Sequence, residues 1–221
     1  MKILIYLSII VLTACSFSGS ERVAPNYFQA FKAIKAYTIG INDDNITREL
    51  VDNIPYASIK LKIGKGPSGL LILEELQQEN LVYISADNVR LMIKNGVIIR
   101  TSGFENNLVK RSEPKNFLIS FLDSGKEERK YYIYHSYDMP KLSDLKIEAT
   151  IKRLEIEEIT ILGRSYKLLR VEQILENKYL GWKRKNIFWV DPSDYFVWKS
   201  KQHISPLLPE INIEVTKKYL Y

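Results

Sequence analysis

The chain has 221 residues, with 32 Lys+Arg against 26 Asp+Glu and a net charge of +6. Apolar residues make up 46% and charged residues 26%, the balance of a packed globular protein and not of a disordered one. One Cys and two His exclude an intramolecular disulfide and any zinc site built on four cysteines, and a small, interspersed positive excess does not call for nucleic acid.

Met1-Lys2 is a positive start, Ile3 to Leu12 is apolar except for Ser8, and Thr13-Ala14 precede Cys15. A positive start, an apolar run of about ten residues and small residues before a cut form the pattern of an export signal. The run falls well short of the roughly 20 residues of a membrane-spanning helix. Leu12-Thr13-Ala14-Cys15 looks like a bacterial lipobox. That likeness implies that residues 1–14 are removed and that Cys15 is acylated as the first residue of the mature chain. Ser16, in place of an Asp, implies sorting to the inner leaflet of the outer membrane, facing the periplasm. Acyl chains hold at about 0.8 kcal/mol per buried CH₂. Residues 15–24 (CSFSGSERVA) read as a flexible acylated tether. Residues 25–221 carry no repeat, low-complexity tract or linker, and read as one β-rich domain.

Pro25 to Tyr37 predicts a helix, with Tyr27, Phe28, Phe31, Ile34 and Tyr37 at helical spacing. Asp44 to Val51 predicts a second, short helix, capped by Asp44 or Asn45 and ended by Pro55. The pattern then changes to period two: Ile59, Leu61 and Ile63 alternate with Lys60 and Lys62. Asn95-Gly96 is the strongest hairpin signal, joining strands at 89–94 and 97–101. Further strands are expected at 70–76, 81–86, 117–122, 130–137, 146–154, 156–162, 165–175, 179–190, 195–203 and 211–217. The expected fold is mainly β: an antiparallel meander of about 10–12 strands in an open or closed barrel or a sandwich, with one or two short N-terminal helices.

Gly64-Lys65-Gly66-Pro67-Ser68-Gly69 matches the GxGxxG of dinucleotide sites, with Asp87 beyond it. A first strand of that fold is buried on both faces, so Lys60 and Lys62 argue against it, and Pro67 removes a phosphate-facing N–H. A glycine-rich turn between antiparallel strands is the expected role. There is no GxSxG nucleophile elbow. His135 and His203 sit on predicted strands, where packing is the commoner role. Glu74-Glu75 and Glu157-Glu158 are adjacent, and strand neighbours point to opposite faces, so neither pair acts on one atom. Trp182, Trp189 and Trp198, with Lys183 and Lys185, form the candidate ligand surface, since flat rings beside cations suit sugar stacking. The competing role for the rings is to fill the core.

Two stretches carry a family resemblance. The first runs from Ile54-Pro55-Tyr56-Ala57-Ser58 through Tyr83-Ile84-Ser85-Ala86-Asp87 and residues 95–104 (NGVIIRTSGF) to Asn107-Leu108. The second has Phe188-Trp189-Val190-Asp191, Val197-Trp198-Lys199-Ser200-Lys201-Gln202 and Pro206. Together with the lipobox they resemble the YjbF/GfcB-type lipoproteins of group 4 capsule and exopolysaccharide production. The departures are Tyr83 where the family often has Trp, and Tyr195-Phe196 where it has a turn Gly. The resemblance implies an outer-membrane lipoprotein with an antiparallel β fold, no catalytic residues, no cofactor and no metal. The expected role is an accessory one, through binding of polysaccharide or an export partner. The alternatives are a lipid-handling carrier with an apolar barrel lumen and a polysaccharide-modifying hydrolase.

Overall fold

The structure, a computed structural model, describes residues 46–219. Cys15, the signal, the tether and the helix expected at 25–37 lie outside the described residues. Helix α1 spans Arg48–Asn53. Its cap is Thr47, whose hydroxyl accepts from the Leu50 N–H at 3.2 Å, and not Asp44 or Asn45.

Twelve strands follow: β1 Ser58–Ile63, β2 Ser68–Gln77, β3 Asn80–Ile84, β4 Arg90–Lys94, β5 Val97–Ser102, β6 Leu108–Ser112, β7 Glu128–Tyr137, β8 Leu142–Ile161, β9 Arg164–Asn177, β10 Trp182–Val190, β11 Val197–Gln202 and β12 Ile211–Lys217. Helix α2, Phe117–Asp123, lies between β6 and β7. The strands form one antiparallel sheet in the order β5-β4-β3-β2-β1-β12-β11-β10-β9-β8-β7-β6. It is a meander whose first and last strands pair with each other, curled into a nearly closed barrel. Among the described residues no helix is long and apolar enough to cross a membrane.

The two free edges, β5 and β6, meet at the gap. There the Leu108 N–H donates to the Thr101 hydroxyl at 2.9 Å. At the other end of β5 the partner is a side chain. Gln202 of β11 reaches across: its Oε1 accepts from the Ile98 N–H at 3.0 Å, and its Nε2 donates to the Gly96 carbonyl at 2.8 Å. One carboxamide thus stands in for a strand along a backbone edge that would otherwise be buried unpaired. The seam divides the interior. One half packs Ile59, Leu61, Leu71, Leu91, Ile98 and Ile213. The other packs Ile151, Val171, Phe188 and Val190 against α2.

Two elements differ from expectation. Residues 117–122 are expected as a strand and form α2. An unbroken apolar run does not separate strand from helix. Phe117, Leu118, Phe121 and Leu122 are buried while Ser120 is exposed, which is helical spacing, and Gly125 just beyond it has φ +66°. Residues 146–154 and 156–162 are expected as two strands and are one, bent by a register shift between Arg153 and Ile156. The short β6 carries Lys110 and Arg111 side by side and gave no period-two signal.

The Asn95-Gly96 turn forms as expected, with φ of +47° and +78°. Gly96 is held there for a second reason: a Cβ on it would lie 2.3 Å from Cβ of Val197. Gly163 has the same φ of +78° with open space around it. Gly163→Ala is expected to cost about 1 kcal/mol, from the left-handed backbone alone. Gly96→Ala is expected to cost roughly 3 kcal/mol, because overpacking adds to that strain. Urea denaturation of the two variants measures the difference, and equal costs would remove the packing role of Gly96.

Candidate functional site

The aromatic and basic residues of β10 and β11 do not share one surface. Trp182 packs inward among Ile133, Ile147, Ala149 and Leu175 and is 4% exposed. Trp189, seven residues on, falls on the opposite face by strand alternation. It is also covered: its indole N–H donates to Glu157 Oε2 at 2.7 Å, and Lys199 lies 5.7 Å from its ring centre. Trp198 is half-buried against Tyr166 and Phe196, at ring-centre distances of 4.4 and 5.0 Å. Lys183, Arg184 and Lys185 are open to solvent, and the two lysines pair with Glu176 at 3.3 Å and Glu172 at 3.0 Å. The expected platform of three rings is therefore corrected. Trp182 turns into the packed interior, and Trp189 on the outer face is covered by the side chains of Glu157 and Lys199, so neither ring is displayed.

The carboxylates are engaged in structural contacts. Arg170 bridges Glu157 at 2.8 Å and Glu172 at 2.7 Å. The Trp189 indole and then Arg170 hold the Glu157 carboxyl below its ordinary range, so it is not poised as a general acid. Glu74 forms a two-pronged pair with Arg90 at 2.9 and 3.1 Å. The glycine-rich turn is equally occupied. The Gly64 N–H donates to the Glu210 carbonyl at 2.8 Å and the Gly66 N–H to the Ile63 carbonyl at 2.9 Å, which leaves neither donor for a phosphate. Among the described residues no three His, Cys, Asp or Glu cluster as metal ligands.

Inside the barrel runs a polar ladder that the sequence did not reveal. Gln173 on β9 donates to the Tyr131 hydroxyl and accepts from Asn186 Nδ2 at 2.9 Å. Asn186 in turn accepts from the His203 backbone N–H at 2.7 Å. On β7, His135 stands directly across from Arg111 of β6. Tyr137 donates its hydroxyl proton to the Ile204 carbonyl at 2.9 Å, so the 3.0 Å contact between His135 Nδ1 and that oxygen makes Nδ1 the donor. Arg111, fully buried, pairs through Nε with Glu113 at 2.7 Å. Burial, and then the Arg111 charge, push the His135 pKa well below its ordinary value. Burial likewise raises the Tyr131 and Tyr137 hydroxyls. The ladder holds neutral hydrogen bonders in register beside the Arg111–Glu113 ion pair; it does not assemble a nucleophile with its base.

Cavities are small. The apolar one under Tyr83, Ile93, Trp198 and Ile213 measures about 30 Å³, room for roughly one water and not for an acyl chain. An open groove of about 440 Å³ runs between residues 55–57, β2 and the end of β12. Lys217 at its wall donates to the Ile54 carbonyl and Lys218 pairs with Asp194 at 2.6 Å.

The buried, neutral His135 gives a pH dependence. Unfolded, it binds a proton near its ordinary value of about 6.5, and folded it does not. Stability is therefore full above about pH 6.5 and falls below it, by up to about 1.4 kcal/mol per pH unit. His203, lowered chiefly by burial, acts in the same direction. The urea midpoint is expected to hold from about pH 8 to 7 and to drop between about 6.5 and 5.5, with His135→Gln removing most of the drop. An undiminished drop in that variant would place the acid lability elsewhere.

A family model described as group 4 capsule polysaccharide lipoprotein GfcB, YjbF matches residues 31–216. The chain is 23% identical over 164 residues to the uncharacterized lipoprotein GfcB of Escherichia coli K12, covering 72% of this chain and 75% of that one. The crystal structure of the hypothetical lipoprotein YmcC from Escherichia coli K12 matches the fold with a TM-score of 0.73 at 19% identity, over 89% of this chain and 96% of that one. With the model spanning most of the barrel, from before α1 to the last strand, the chain belongs to the YjbF family of group 4 capsule polysaccharide lipoproteins.

Proposed function

We propose that the protein is an outer-membrane lipoprotein, anchored by acylated Cys15 and facing the periplasm, that assists capsule or exopolysaccharide production by binding. The observation that carries this reading is the family match over residues 31–216. The lipobox-like Leu12-Thr13-Ala14-Cys15 supplies the anchor. Its ligand is the polymer itself or another protein of polymer export. The engagement of Glu74, Glu157 and Glu172 in ion pairs favours binding over hydrolysis. The packing of Ile59, Leu71 and Leu91 in one half of the interior and of Ile151, Val171 and Phe188 in the other disfavours a lipid carrier.

Deleting the gene is expected to reduce surface polymer while its repeat structure stays the same, and a Cys15→Ser copy is expected not to restore it. Palmitate labelling and polymer analysis read both. A change in acetylation or chain length would favour an enzyme, and full rescue by an unlabelled Cys15→Ser protein would remove the anchor from the function.

A further inference from the structure

The barrel has an apolar end. Of the ten large apolar side chains exposed on the described surface, six lie on one flank and tip: Tyr132, Tyr134, Met139, Leu142, Tyr179 and Leu180. Tyr179 is 94% and Met139 68% exposed. Antiparallel pairing brings the β7–β8 and β9–β10 turns to the same end. The β9–β10 turn is tied to β8: Asn177 Nδ2 donates to the Lys146 carbonyl at 2.8 Å, and its Oδ1 accepts from the Leu180 N–H at 2.7 Å.

Both turns are held out by hydrogen bonds, so their apolar side chains do not fold back. The Asp138 carboxylate accepts from the Asn107 backbone N–H and from its Nδ2, both at 2.7 Å. Asn106 Nδ2 donates to the Met139 carbonyl at 2.6 Å. Exposed apolar groups gathered this way mark a contact surface.

We propose that this tip seats in the interface of an anionic phospholipid bilayer, as a second membrane contact beside acylated Cys15. The inference rests on the lipid-anchored reading for its geometry. The tip joins the tyrosines to the exposed aliphatic groups of Met139, Leu142 and Leu180, the composition of interfacial membrane anchors. Its charge suits anionic headgroups. Lys141 and Lys178 stand on the turns without an ion pair among the described residues, and Lys146 sits 3.9 Å from the Tyr132 ring centre. Of the nearby acids, Asp144 pairs with Lys110 at 3.8 Å and Glu176 with Lys183 at 3.3 Å, while Asp138 keeps its charge in hydrogen bonds from Asn107. Glu148 also lies on this flank, opposite Tyr132.

The tether permits the contact. α1 marks the opposite end, where Arg48 donates to the Thr216 and Ile161 carbonyls. From Leu142 to Ile161, β8 covers roughly 60 Å at about 3.3 Å per residue. The chain between Cys15 and Ile46 has about 30 residues, and with the helix expected at 25–37 counted at about 1.5 Å per residue it reaches roughly 80 Å. It can therefore run beside the barrel and return the tip to the bilayer that holds the acyl chains. Once anchored, the tip binds intramolecularly, so a weak contact suffices.

The test uses the chain produced without residues 1–15, which keeps the whole described barrel and lacks the acyl group. Co-sedimentation with phosphatidylethanolamine–phosphatidylglycerol vesicles is expected, and markedly less with phosphatidylcholine. Tyr179→Glu with Leu180→Glu is expected to lower the partition coefficient at least tenfold at an unchanged melting temperature, since both side chains are exposed. Lys141→Glu with Lys178→Glu is expected to abolish the preference for anionic vesicles. No vesicle binding by the parent chain, or equal binding by the double variants, overturns the proposal. Loss of binding to purified polymer or to an envelope protein, with vesicle binding unmoved, overturns it as well and assigns the tip to that partner. Palmitate labelling of Cys15 is a separate readout, so failure of the anchor and failure of the tip are distinguishable.

Discussion

The barrel depends on how its last open edge is satisfied. A twelve-stranded meander that stops short of closure leaves β5 with backbone donors and acceptors facing the interior, where water cannot serve them. Gln202 answers this by placing one carboxamide against Gly96 and Ile98. Ser200 receives the other Nε2 hydrogen at 2.9 Å, so the amide's orientation is fixed. Two buried backbone groups left bare cost about 1–3 kcal/mol each, a large share of a domain's net stability. The contact also draws β5 to β11, which is why Gly96 abuts Val197 and why the interior is two packed halves and not one open lumen.

A filled interior moves function to the outside. The polar ladder from Tyr131 through Gln173 and Asn186 crosses the barrel between apolar layers, and its members satisfy one another. Such a network fixes strand register, because each partner is met at one alignment only. What remains for recognition is the surface, and its exposed large apolar groups gather most densely at the flank and tip of the β7–β8 and β9–β10 turns.

The local grammar of the chain was legible in its sequence and the long-range contacts were not. Alternation at Ile59, Leu61 and Ile63, and the turn at Asn95-Gly96, announced β1 and the β4–β5 hairpin because each is decided within a few residues. The run Phe117–Leu122 misled because its identity as a helix rests on the surfaces it covers. The tryptophans misled for a related reason: neighbours in sequence among lysines, Trp182 and Trp189 turn to opposite faces once β10 is a strand. Nothing local marks Gln202 as the partner of Ile98, 104 residues away, or sets His135 beside Arg111. Family motifs captured positions such as Gly96, Asn107 and Gln202 without saying what they hold, and the structure supplies a turn, a clamp on Asp138 and a seam.

The pairing of β1 with β12 has a temporal side. Ser58 and Thr216 share a buried hydrogen bond at 2.8 Å although 158 residues separate them. Contacts of such sequence separation form slowly, because the intervening chain must be ordered before they are rewarded. The barrel thus has no finished core until its final strand exists. A chain cut anywhere before Ile211 loses not one strand but the partner of both β1 and β11, and opens in the middle of the sheet. For a protein proposed to be threaded across one membrane before it folds beside another, that delay keeps the chain extensible until the whole of it has arrived.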